Sequence, residues 1–170
     1  MSITDSDRNV IKVLLGREPR GLEAVAVRDK QGEPMVIRVS VLVGDKPFPT
    51  LFWLIDKRLN YAIDQLEAGG LIAQFQRQVD ESPELQVQVA ADHREHITLR
   101  QLYMTDAIRL RVQALGFTEV LFSRGIGGIA DFQRIRCLHT YYAAHLVCPN
   151  TIGTMLEQHC LAAGIAFPQL

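Results

Sequence analysis

Thr50-Leu-Phe-Trp-Leu-Ile-Asp-Lys-Arg-Leu-Asn-Tyr-Ala-Ile-Asp-Gln-Leu66 changes its hydrophobic rhythm part-way along, and that change decides the fold class. Thr50 to Ile55 is an apolar, aromatic run introduced by Lys46-Pro-Phe-Pro49, the pattern of a short strand. From Asp56 onward the apolar residues fall at Leu59, Ile63 and Leu66, one face of a helix, and Gly69-Gly70 closes it. Sheet is expected before this point and helix after it.

Working outward, Leu22–Arg28 and residues 35–43 are both alternating and β-branched, with Asp29-Lys-Gln-Gly-Glu-Pro34 between them. That arrangement predicts a hairpin. Val10, Ile11, Leu14 and Leu15 stand at helical spacing before Gly16, a C-terminal stop. Downstream, Leu71 to Val79 continues in helical spacing, and Ser82-Pro-Glu-Leu85 opens a helix with proline at its first position. This helix is expected to run toward Leu115 with a break near Asp106. After irregular chain over 116–130, two more helices are predicted over 131–147 and 151–163, separated by Pro149. The class is α+β: a small antiparallel sheet in the N-terminal third (about 17–55) and a mostly helical remainder (about 56–165). One domain over 1–170 is expected, since 170 residues suffice to bury a core.

The formal net charge is -1, so no global field draws the chain to nucleic acid or anionic lipid. No basic stripe is interleaved with aromatics, and nucleic acid is not an expected partner. No apolar stretch approaches the roughly 20 residues that cross a bilayer, so no membrane insertion is expected. Met1-Ser-Ile-Thr-Asp-Ser-Asp7 is acidic where a signal peptide carries positive charge. Cys137, Cys148 and Cys160 form an odd set, which suits reduced thiols. A cytoplasmic location is the expectation.

Chemistry concentrates in Arg124-Gly-Ile-Gly-Gly-Ile-Ala-Asp131 and the Phe132-Gln-Arg-Ile-Arg-Cys-Leu-His-Thr-Tyr-Tyr-Ala-Ala-His145 that follows. A glycine turn feeding a helix start attracts anions through unpaired amides, and guanidinium forks add to the pull. Arg124, Gly127, Gly128, Arg134 and Arg136 are therefore candidate contacts for a small anionic, phosphorylated ligand, with Arg17 and Arg20 joining from the N-terminal turn. The turn is neither a P-loop nor a dinucleotide fingerprint, and Ser123 lies in no G-x-S-x-G elbow.

A second reading makes Cys137 a thiol nucleophile or redox group, with His139 or His145 as acid and base. The plain alternative is that Cys137 is a small buried residue. On a regular helix from Asp131, at about 100° per residue, Cys137 and His139 stand about 200° apart. They then cannot face one ion, and no metal site is expected; no cofactor is indicated. His93 and His96, among Asp92 and Glu95, read as a solvated face, and Phe52 and Trp53 as core. The third reading is a protein-interaction module without pocket chemistry.

Several phrases carry a family resemblance. They are Gly16-Arg-Glu-Pro-Arg-Gly21 with Ala24-Val-Ala26; Phe48-Pro-Thr-Leu-Phe-Trp-Leu54 with Arg58-Leu59; and Gly127-Gly-Ile129, Arg134-Ile-Arg-Cys-Leu-His139, His145 and Pro149-Asn150. Together, over about 16–155, the chain resembles domain-of-unknown-function family 501, a bacterial cytoplasmic group with no assigned activity. Its members are often encoded beside a septum-formation-initiator-like protein, which implies a housekeeping setting in division or the envelope. Many members have a Cys-x-Cys-Gly hairpin and a further cysteine after the Phe-Pro-Thr strand. Here those positions read Asp29, Gln31 and Asp56, so any metal held by those cysteines has lost its ligands in this chain, and Cys137 and His139 stand without them.

Overall fold

The computed structural model describes residues 3–166, so the outermost ends of the expected 1–170 domain lie outside the described residues. It is α+β, as its hydrophobic rhythm predicts. Helix α1 (Asp5–Leu15) precedes β1 (Leu22–Arg28), β2 (Pro34–Val39), the short β3 (Leu42–Val43) and β4 (Lys46–Pro47), and β5 (Phe52–Leu54). Then come α2 (Lys57–Ala68), α3 (Leu71–Glu81), α4 (Pro83–Leu102), α5 (Asp106–Ala114), α6 (Thr118–Ser123), a 3-10 turn (Ile126–Gly128), α7 (Leu138–His145) and α8 (Thr151–Ala162).

The main sheet has the order β1-β2-β5 and is antiparallel throughout, with Val25 opposite Ile37 and Ile37 opposite Trp53. The expected second strand stops at Val39, and β3 pairs separately with β4. Ile37 and Val39 face α1, where they enclose Ile11 with Ile55. Val36 and Phe52 point the other way, into the main core shared with α2, α3, α4, α7 and α8. The alternation of the strands thus divides the interior in two.

Helix starts follow local chemistry. Thr4 and Asp7 form a reciprocal capping box, and the side chains of Ser82, Thr105 and Asn150 accept amide hydrogens at the starts of α4, α5 and α8. Asp56 accepts from the amides of Arg58 and Leu59, placing the strand-to-helix switch where the sequence changes period.

One helix starts later than its sequence predicts. Residues 131–137 are not helical, and α7 begins at Leu138. Asp131 does cap, but only a turn: its carboxylate accepts the Gln133 amide at 3.0 Å, and its carbonyl accepts the Arg134 amide at 3.1 Å. Beyond that, side chains of other helices take the amides. Gln76 of α3 accepts from Ile135 at 2.9 Å, and Glu67 of α2 accepts from Leu138 at 2.6 Å. The segment is held extended by tertiary partners rather than by its own turns.

Candidate functional site

Cys137 is the residue before α7, with an extended backbone (φ -154, ψ 117). The helical projection that separates it from His139 does not apply there. Cys137 Sγ lies 3.7 Å from His139 Nδ1, and both side chains are partly exposed at the surface. Two α2 residues complete the arrangement. Glu67 Oε1 is 3.3 Å from His139 Nδ1, while His139 Nε2 faces the Asn60 carbonyl and an Asp64 carboxylate oxygen, each at 3.2 Å. Helix α2 presents Asn60, Asp64 and Glu67 at spacings of four and three, one face directed at the α7 start.

The electrostatics follow from these neighbours. The thiol beside it and the carboxylate of Glu67 push the His139 imidazole up to about 9, against a smaller opposing effect of burial. Burial raises the Cys137 thiol, but the hydrogen bonds from His139 and from the Thr140 amide outweigh it and bring the thiol below its ordinary range. Each group thus shifts the other toward its charged form. Cys148 and Cys160 are pushed the opposite way by burial.

The glycine turn lies behind this site. Gly127 and Gly128 both have positive φ (64 and 74), as their place in a tight connection requires. A Cβ on Gly127 would stand 2.7 Å from Thr140 Oγ1, so the turn presses directly on α7. Its other side is held by α4. The Ile126 amide donates to His93 Nδ1 at 3.0 Å, which leaves the hydrogen on His93 Nε2, facing the Tyr141 hydroxyl at 3.0 Å. Tyr141 passes its own hydrogen to the Arg134 carbonyl at 3.3 Å. Arg100, wholly buried, donates to the carbonyls of Leu121 (2.8 Å), Arg124 (2.6 Å) and Gly125 (3.1 Å).

His93 and His96 are therefore interior, not a solvated face. Burial lowers His93 to about 4; burial, then the Arg100 charge, lowers His96 to about 3. Val89, His93, His96, Ile97 and Arg100 form the inward stripe of α4. That spacing is visible in the sequence, but three of the five residues are of types that suggest solvent. Arg100 and the α2 trio are the residues that sequence reading missed.

The guanidiniums of the anion reading go to different surroundings. Arg17 stacks over Trp53 at 5.1 Å, and Arg134 is exposed between Asp80 (3.9 Å) and Asp131 (3.8 Å). Arg20 and Arg136 are exposed, and Arg124 is half-buried with its carbonyl committed to Arg100. His145 is partly buried and stacks on Tyr142, where its Nδ1 accepts the Asn150 amide at 3.0 Å and its Nε2 lies 3.4 Å from Glu157. Asp29 and Asp56 both reach Arg58, at 3.4 and 2.9 Å. Asp56 precedes α2 and Glu67 occupies its last turn, about 16 Å along the axis, so the two clusters are separate.

Residues 25–158 match the model of the family described as "Protein of unknown function (DUF501)". The chain belongs to that family. No curated protein and no solved structure matches it. Every residue of the thiol site lies within the matched span. Among the described residues, no helix is long and apolar enough to cross a membrane.

Proposed function

We propose that this protein is a thiol-dependent enzyme in which Cys137 is the nucleophile and His139 its acid and base. The observation that carries this reading is the 3.7 Å contact between Sγ and Nδ1, with the far ring nitrogen fixed by Asn60 and Asp64. Nucleophile, base and orienting group in that order are what covalent catalysis by a thiol needs. In the reaction, Sγ bonds to an electrophilic acyl carbon and the bond to the leaving group breaks. The Nδ1 proton passes to the leaving group; water later releases the acyl group and returns a proton to Nδ1. Glu67 and Asp64 flank the site, which favours neutral or cationic substrates over anionic ones.

The same carboxylate weighs against the anionic-ligand reading. An anion approaching the α7 start meets Glu67, which already holds the first amide. Arg134, for its part, has two carboxylate neighbours.

The test is reactivity in the folded, metal-free protein. Iodoacetamide at neutral pH, followed by peptide mapping, is expected to label Cys137 at least about tenfold faster than Cys148 or Cys160. His139→Ala is expected to slow that labelling about tenfold, and p-nitrophenyl acetate is expected to leave one acetyl group on Cys137. Labelling of Cys137 only in denaturant, or at an unchanged rate in His139→Ala, overturns the reading.

A further inference from the structure

We propose that Glu67, Cys137 and His139 are also the three protein ligands of a soft divalent transition-metal site, with Zn2+ as the natural occupant, and that metal binding masks the thiol. The inference rests on the preceding reading only for its consequence, the silenced nucleophile; the site itself stands on geometry. Sγ, Nδ1 and a Glu67 carboxylate oxygen lie within 4.8 Å of one another.

Two of the three separations can be compared with a tetrahedral zinc centre. Bond lengths of about 2.3 Å to sulfur and about 2.0–2.1 Å to nitrogen or oxygen give edges of about 3.6 Å for S to N and about 3.4 Å for N to O. The structure has 3.7 Å for Cys137 Sγ to His139 Nδ1 and 3.3 Å for His139 Nδ1 to Glu67 Oε1. A hydrogen-bonded triad and a metal-bound one therefore occupy the same frame, and the shared proton stands where the ion would bind.

The surroundings of the ligands fit as well. A metal-binding histidine donates its other ring hydrogen to a carbonyl or carboxylate, and His139 Nε2 has both, from Asn60 and Asp64 at 3.2 Å each. The Thr140 amide hydrogen-bonds Cys137, and the Leu138 amide holds Glu67 at 2.6 Å. The ligands come from the last turn of one helix and the start of another, both anchored in the core, so little ordering is needed on binding. Three protein ligands leave a fourth tetrahedral position, which water or a substrate group fills.

The exchange balances simply. Zn2+ bonds to Sγ, to the carboxylate and to Nδ1, and the one proton that Sγ and Nδ1 share is released to solvent, so about one proton leaves per ion bound.

The experiment uses the full chain, stripped by a chelator, with ZnCl2 and CoCl2 as probes. One equivalent is expected to bind. Co2+ should give a thiolate charge-transfer band, and Zn2+ should protect Cys137 from iodoacetamide. Calorimetry in buffers of different ionisation enthalpy should read about one proton released. Cys137→Ser should abolish the band, and Glu67→Gln should weaken binding about 10- to 100-fold. Cys148→Ser should leave binding unchanged. Melting curves on the stripped variants confirm that each is folded.

Absence of saturable binding, or binding that survives Cys137→Ser with Cys137 still open to alkylation, overturns the site. The two proposals fail separately. A fast-reacting metal-free Cys137 that zinc does not protect removes the metal site and leaves the nucleophile. Zinc held by these ligands in a protein whose stripped thiol is unreactive removes the nucleophile and leaves the site.

Discussion

Two histidine clusters in this molecule use the same side chain to opposite ends. On α4, His93 and His96 sit in the interior, His96 feels the charge of the buried Arg100, and burial keeps both rings neutral. At the α7 start, His139 is partly exposed among a thiol and two carboxylates, which favour its charged form. The first cluster ties the glycine turn to the core. The second has acceptors on both ring nitrogens and a nucleophile in contact. Burial without a counter-charge makes a histidine structural; partial burial beside anions makes it reactive.

The connection between them runs through the turn. His93 and Arg100 hold residues 121–126, Gly127 presses on Thr140, and Thr140 supports Cys137 through its amide and through a hydroxyl bond to the Cys137 carbonyl at 3.0 Å. A neutral, inert cluster positions a charged one. Local stability and reactivity should therefore separate cleanly between the two regions.

The largest effect is expected at Arg100. Arg100→Leu removes a donor from the carbonyls of Leu121, Arg124 and Gly125, of which Gly125 keeps the Gly128 amide at 3.0 Å, and should lower unfolding free energy by about 3–5 kcal/mol in urea titrations. A loss under about 1 kcal/mol would break the claim that this guanidinium holds the turn. Next comes Gly125→Ala, whose Cβ would lie 2.2 Å from His93 Nδ1. It should cost about 2–3 kcal/mol, and the cost should shrink in a His93→Ala background, where the obstructing ring is gone.

Acidity distinguishes the clusters more directly. Unfolded histidine takes up a proton near 6.5, whereas folded His93 and His96 wait until about 4 and about 3. The unfolded state binds more protons in between, so their contribution is complete above pH 6.5 and declines as pH falls. Stability should drop by about 2 kcal/mol from pH 6.5 to 5.5, and replacing His96 by Leu should halve that slope. His139 has the reverse sign. Its folded value is raised to about 9, so what it contributes is complete below pH 6.5 and lost as pH climbs through 9. In metal-free protein the lowered Cys137 thiol opposes this over the same range, so the net alkaline loss should be about 1 kcal/mol, the smallest of the four effects, and His139→Ala should abolish it. Equal and same-signed limbs for both clusters would erase the contrast.

Much of the architecture is legible from residue order because its causes are local. The period change at Asp56, the hairpin around Asp29 to Pro34, and the caps at Ser82 and Asn150 each act within a few residues. Asp131 is an instructive failure. Its carboxylate captures an amide two residues on, as a cap would, but nothing near it in sequence reveals that Gln76 and Glu67 take the amides of Ile135 and Leu138. That substitution unwinds the predicted first two turns, and it brings Cys137 and His139 face to face.

Composition and hydrophobic spacing were enough to specify an α+β chain with the sheet first and helices after, because helix and strand periods are properties of the backbone itself. Which polar groups are buried, and which meet, depends on contacts between helices far apart in the chain. Asn60, Asp64 and Glu67 reach His139 across more than seventy residues. Only packing the helices together turns an isolated cysteine and histidine into a site.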